Sequence, residues 1–531
     1  MPRLPLAALI ALLAVTLAAS PVGECSSNDT PAPAAPFEVP SSAALRHPID
    51  ALVFARLAAL GLTPAYRSSD AVFVRRAFLD VIGTLPTAAE VRQFLQDHTP
   101  DKRRALIDRL LDREEFADYW AMKWSDLLRI KAEFPVNLWP NAAQAYHRWV
   151  RTAIRDNLPY DRFARELLTA SGSNFRDGPV NFYRTTGSRE PEAIAASVAL
   201  AFMGTRTERW PQEQRSAMAM CFRYLGFKAT GEWKEEIVFF DPDKLPAGGR
   251  AAAVFPDRTV VHLTRARDPR EDFADWLVTP ANPWFTRAIV NRVWSWLLGR
   301  GIVHEPDDLR ADNPPSHPAL LACLERELVA AKYDLKALMR FILTSQTYQL
   351  SSIARSGRPE AAAHFAHYPL RRLEAEVLID ALNQITGTTE KYSSAIPEPF
   401  TFIPEHARAI ALPDGSITSS FLENFGRPAR DTGLERERNN AISAPQRLHL
   451  LNSTHVQRKL EQGPKMQALL RARGTPRDLV DSFYLTILSR PATADEQRLA
   501  AEYATTTADR RTASLDLAWA LINSAEFLHR H

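Results

Sequence analysis

Cysteine is nearly absent from this chain: Cys25, Cys221 and Cys323 are the only three in 531 residues. So few thiols exclude a disulfide framework, a cysteine-rich zinc site and a thiolate-held iron–sulfur cluster. No Cys-x-x-Cys pair exists, which also excludes covalent c-type haem. Glycine is scarce, at 20 against 38 prolines, a balance that fits helices with firm stops. An excess of one charge is missing too. Lys+Arg 65 against Asp+Glu 62 leave a net +3, which excludes a basic nucleic-acid footprint and an acidic tail. There is no HExxH and no GxSxG. Of the close histidine pairs, His364/His367 has loop-like flanks and His449/His455 lacks an acidic residue at metal spacing. No metal and no cofactor is expected.

The remainder is rich enough to build cores, with 46% hydrophobic and 24% charged residues. At about 150 residues per domain, the length allows two to four domains. The start reads as an export signal. Arg3 precedes an apolar run over 4–19, too short for a membrane span. Residues 1–20 are therefore expected to be a signal peptide and 21–45 a Pro-rich linker. Glu24 directly before Cys25 disfavours a lipid anchor there. The expected location is periplasmic or cell-surface, with no transmembrane span once the signal is removed.

Beyond the linker, apolar periodicity predicts helices over most of the chain, among them 71–82, 101–111, 114–130, 144–157, 160–169, 190–203, 320–330, 335–344, 373–385, 445–460, 479–488, 494–505 and 514–527. Short β-branched and aromatic runs at 237–240 and 259–263 interrupt this pattern. Residues 388–420 have low periodicity and many prolines, so a long irregular connection is expected over about 386–420. The fold class is mainly α: two helical domains with a small β excursion between them. The expected boundaries are 46–206, a shortened middle segment 207–267, and 268–531.

One pattern recurs. Leu110-Leu111-Asp112-Arg113-Glu114-Glu115-Phe116, Ile342-Leu343-Thr344-Ser345-Gln346-Thr347-Tyr348 and Leu521-Ile522-Asn523-Ser524-Ala525-Glu526-Phe527 each end an apolar helix with a polar step and an aromatic. Thr87-Ala88-Ala89-Glu90 and Thr493-Ala494-Asp495-Glu496 echo each other as capping boxes. A duplicated helical unit and convergence of helix corners both produce this pattern.

Candidate chemistry is thin. Ser316-His317 near Asp312 sits in a Pro-stiffened loop, where Ser316 is better placed to cap a helix than to attack. The densest polar run is Glu435-Arg436-Glu437-Arg438, with Arg427 and Arg430 upstream. Alternating charge reads either as a solvated face or as an Arg/Glu network facing a cleft. Asn291 and Arg292 lie opposite Val290, Val293 and Trp294 on one helix and could join such a cleft. The candidate ligand-binding residues are therefore Asn291, Arg292, His317, Arg427, Arg430, Glu435, Glu437 and Arg438. The eleven tryptophans pack cores by default, with stacking on sugar rings as the sharper reading.

Several stretches together resemble a known family. His47-Pro48-Ile49-Asp50, Arg75-Arg76-Ala77-Phe78-Leu79-Asp80, Gly83-Thr84-Leu85-Pro86-Thr87 and Trp120-x-x-x-Trp124 are similar to the planctomycete cytochrome-like domain. Asn282-Pro283-Trp284-Phe285, Val290-Asn291-Arg292-Val293-Trp294, Asn313-Pro314-Pro315-Ser316-His317-Pro318, Thr344-Ser345-Gln346-Thr347-Tyr348, Phe425-Gly426-Arg427-Pro428 and Asn523-Ser524-Ala525-Glu526-Phe527 resemble its habitual partner, the PSD domain. These are the paired domains of unknown function 1549 and 1553. The resemblance implies an exported helical protein of unestablished activity. Relatives carry Cys-x-x-Cys-His near the segment that here reads Thr205-Arg206-Thr207-Glu208-Arg209, and paired cysteines where Leu434 and Arg436 stand. A haem-less member is implied. The expected role is binding or accessory, linked to envelope or extracellular polysaccharide processing, with a glycan or another envelope protein as partner. The alternative is a metal-independent hydrolase using the Arg/Glu cleft, and the resemblance makes no enzyme assignment.

Overall fold

The computed structural model describes residues 34–40, 46–246, 251–507 and 509–531. The signal peptide and most of the linker expected at the start lie outside them. The described chain is mainly α-helical, with only short strands.

The helix Asp70–Ile82 is the hub of the first half. Ser69 caps it, and Gly83 ends it in the left-handed region at φ +59°. A side chain at Gly83 would collide with the Tyr119 ring, so glycine answers both the turn and the packing there. All but the first two residues of this helix are buried, under Lys102–Leu111 and Glu114–Leu127. The latter helix stops at Leu127, three residues before the expected end. Pro140–Arg155 packs on it, starting earlier than expected because Pro140 is tolerated at a first helical turn.

The expected β excursion is present but divided. Glu236–Phe240 pairs antiparallel with Leu225–Ala229 on one side and with Gly172–Ser173 on the other. Val260–Leu263 pairs with Ala251–Val254 in a separate hairpin. The two runs seen in the sequence do not pair with each other.

In the second half, Phe285–Leu298 is buried almost all round and closed by Gly299. Pro318–Ala330 comes next, and its cap corrects the expectation. His317 Nδ1 accepts the Leu320 N–H at 3.2 Å, while the Ser316 hydroxyl donates to the Ile302 carbonyl. Residues 388–419 form the irregular connection, relieved by one short 3-10 turn, Ala409–Ala411. The single helix expected over 445–460 is two, Ala444–Asn452 and Thr454–Gln462. Ser453 ends the first and caps the second. Four helices close the chain, and the terminal strand His529–Arg530 returns to pair with Arg371–Arg372. One continuous apolar core runs through both halves.

The echoed corners share a device. Arg113 forks onto Glu115 (2.6 and 3.1 Å) and the capping-box Glu90 (2.8 Å). Arg490 forks onto Glu526 (2.7 and 2.8 Å) and the capping-box Glu496 (2.7 Å). In each, one guanidinium ties a helix start to a helix corner. The arginines come from different positions: Arg113 lies within its corner, and Arg490 precedes its capping box. The third corner lacks a glutamate. There the Asp50 carboxylate accepts the Gln346 and Thr347 N–H groups, both at 2.8 Å.

Candidate functional site

The sequence-derived candidates divide into three groups. Arg427, Arg430 and Arg438 converge. Arg438 forks onto Glu376 (2.7 and 3.1 Å) and Asp126 (2.6 and 3.1 Å). Arg430 meets Asp126 at 3.0 Å, and Arg427 stands 3.5 Å from Glu376. Arg430 also donates to the Ile130 carbonyl, and Arg427 to the Ile417 and Asp414 carbonyls. Burial alone would raise the Glu376 carboxyl, but Arg438 and Arg427 outweigh it and hold it below its ordinary range. Arg427, Arg430 and Arg438 thus form an internal ion-pair network with Asp126 and Glu376, while Arg436 of the same run stays exposed.

Arg292 joins its edge. It forms a buried ion pair with Asp307 at 2.9 Å, and the other Asp307 oxygen accepts the Glu435 N–H at 2.7 Å. Glu435 accepts from the Trp296 indole at 3.0 Å, and burial pushes its carboxyl up. Glu437 accepts the Asp431 and Thr432 N–H groups at 2.8 and 3.0 Å, closing a turn. Asn291 and His317 lie apart. Asn291 makes a two-way bond with the Val303 backbone (3.0 and 2.9 Å), and His317 Nε2 meets the Leu52 carbonyl.

The family-like Arg75-Arg76…Asp80 stretch is also internal. Arg75 donates to the Ile487 and Phe527 carbonyls, and Arg76 to the main-chain oxygens of Tyr348, Leu350 and His531. Asp80 accepts from Tyr348 and Tyr368 and pairs with Arg371 and Arg530. Arg530 continues to Glu374, which Lys123 holds at 2.7 Å.

An open cleft is found elsewhere. It has a volume of about 730 Å³ and is lined by residues 134–137, 183–184, 186–189 and 229–236. Its far wall is the turn between the strands Leu225–Ala229 and Glu236–Phe240. Asn174 pins that turn, donating to the Lys234 carbonyl (3.1 Å) and accepting the Glu236 N–H (2.8 Å). Ser173 and Thr230 hydroxyls hold Glu235 at 2.6 and 2.7 Å. The Glu236 carboxylate joins the walls: Arg184 meets it at 3.1 Å and Arg189 at 2.8 Å. Arg184 also donates to the Leu138 carbonyl at 3.2 Å, tying in the loop 134–139.

Two exposed aromatic rings line this cleft. Trp233 is 63% exposed and Phe134 83% exposed. Trp233 stands edge-on to Trp139 with ring centroids 4.6 Å apart, and Phe400 lies 5.2 Å from Trp139. The Lys234 ammonium sits 5.6 Å from the Trp233 ring and 5.9 Å from that of Trp139. Three non-glycine residues here hold left-handed backbone: Asn137 (φ +62°), Trp139 (+73°) and Lys234 (+65°). Such conformations cost about 1–3 kcal/mol each and collect where a site needs its side chains aimed. Large apolar groups left in water beside ordered polar ones mark a recognition surface.

The sequence reading placed Trp139 among core tryptophans and did not single out Trp233. A signal was present. Trp233 lies in Gly231-Glu232-Trp233-Lys234-Glu235, which has no apolar period to bury it.

Two family models match the chain. One, PSCyt2, described as a protein of unknown function (DUF1549), matches residues 48–220. The other, PSD1, described as a protein of unknown function (DUF1553), matches residues 269–504. The cleft wall 229–236 falls between the two matched stretches. No curated protein and no solved structure matches the chain.

Proposed function

Because the chain belongs to the family that joins these two domains of unknown function, its role is read from its own geometry, and we propose that it is a binding or accessory protein that seats a glycan in the aromatic cleft. The observation that carries this reading is the exposed Trp233 ring, braced by Trp139 and Phe400 over a polar cleft. A sugar has an apolar C–H face and a hydroxyl rim. An aromatic platform desolvates the first, and ordered groups such as Arg189 and Lys234 bond the second. We place this work outside the cytoplasm, in envelope or extracellular polysaccharide processing. The apolar run 4–19 and the polar linker behind it support that location. The Arg/Glu cluster favours hydrolysis less, since Glu435 and Glu437 are committed to Trp296 and to the 431–432 turn.

The test is a glycan array followed by calorimetry on each positive glycan, with the full chain and with Trp233→Ala. Saturable binding is expected, weakened at least about tenfold by Trp233→Ala with the far-ultraviolet spectrum unchanged. Absence of any saturable glycan binding, or equal affinity of the variant, overturns the reading.

A further inference from the structure

A second cavity lies in the last helices, away from the cleft. Pro476–Ile487, Ala494–Thr506 and Arg510–Ile522 enclose a groove of about 870 Å³. Its walls are apolar, led by Leu479, Val480, Phe483, Leu499, Tyr503 and Leu517.

The groove stays open for a physical reason. Ala494–Thr506 buries no residue. Its echo in the first half, Ala88–Gln96, buries Val91 and Phe94 and is covered by Pro476–Ile487. Polar ties hold Ala494–Thr506 in place instead. Thr493 and Glu496 cap it, Arg490 forks onto Glu496, and the Tyr503 hydroxyl donates to Asp516 at 2.8 Å. Of its apolar residues only Ala500 reaches the core, so little apolar contact draws it shut and the groove stays open. Burying such a surface is favourable for any apolar occupant.

Two features of the groove narrow the occupant. Its volume is that of a small-molecule site, not of a protein interface. Arg477 and Arg510, each in the first turn of its helix, line the groove, are exposed and have no ion-pair partner among the described residues. Arg490 and Arg498, by contrast, are already paired. An apolar trough with uncommitted guanidinium groups matches a long chain ending in a carboxylate. We propose that this groove binds a long-chain fatty acid, with the hydrocarbon between the three helices and the carboxylate on Arg477 and Arg510.

Palmitate is the probe, read by displacement of a fluorescent polyene fatty acid from the full chain, with hexadecyltrimethylammonium as the cationic control. One saturable palmitate per chain is expected, with little competition from the cation. Ala500→Trp and Ala504→Trp add bulk on the helix that buries nothing, and either should abolish binding while helicity is kept. Arg477→Glu/Arg510→Glu should weaken palmitate at least about tenfold. In the unaltered chain, palmitate should slow amide exchange across 476–517 and leave 134–139 unaffected. No saturable binding, undiminished binding in both tryptophan variants, equal competition by the cation, or protection elsewhere each overturns the proposal. So does displacement by an amphipathic peptide alone.

Discussion

Asp380 shows how a single buried carboxyl sets a pH response. It accepts the Ala409 and Ile410 N–H groups at 2.8 and 3.2 Å, with Arg408 at 3.6 Å. Burial outweighs these contacts and lifts its carboxyl from 3.8 to about 6. A raised folded value means that folding favours the protonated form. The stabilising contribution is full below the unfolded value and is lost as pH rises through the folded one. Asp380→Asn is neutral at every pH. Between about pH 4 and pH 7 the natural chain should therefore lose stability relative to Asp380→Asn, on the order of 3 kcal/mol. Urea unfolding at a series of pH values checks this, and a difference that stays flat would show that the carboxyl does not titrate there. At this scale the sequence was half informative. It marked Arg427, Arg430 and Arg438 as candidates for one network but not their partners, because Asp126 lies 304 residues from Arg430 and no local pattern links them. It missed Trp233 because exposure is not a property of a residue type.

Helices were the most legible elements. Their apolar period and caps survive translation into structure, since both act within a few residues. The errors fall where a local signal was ambiguous, as at Ser453, which both stops one helix and starts the next, and at His317, which caps where serine was expected. Element stability was not legible. Ala494–Thr506 has a sound capping box and good helix formers, yet no buried residue. Protection against exchange tracks burial and tertiary contact. Amides of Ala494–Thr506 should exchange at least about 100-fold faster than those of Asp70–Ile82, which is buried along nearly all its length. Native-state exchange with mass spectrometry reads this directly, and comparable protection in the two helices would contradict their difference in packing.

For the whole molecule, long-range arginine contacts bind the two matched stretches into one body. Arg76 alone reaches Tyr348, Leu350 and His531. Removing it leaves three main-chain oxygens without their charged donor, a loss of about 3 kcal/mol or more. Arg76→Ala should lower the unfolding free energy obtained from urea titration by that amount, while the natural chain unfolds in one transition seen alike by tryptophan fluorescence and circular dichroism. Two separated transitions in the natural chain would show independent domains instead. Among the described residues no helix is long and apolar enough to cross a membrane. The sequence by itself determined the helical class, the near-neutral charge and the absence of a Cys-x-x-Cys pair. Each of these comes from composition or from spacing within a few turns. Only the tertiary structure decided that Arg427, Arg430 and Arg438 form an internal brace, that Arg75 and Arg76 hold distant backbone while Asp80 gathers distant side chains, and that a cleft opens against the turn 229–236. Each of those depends on which distant residues become neighbours, and that is set by how the helices pack.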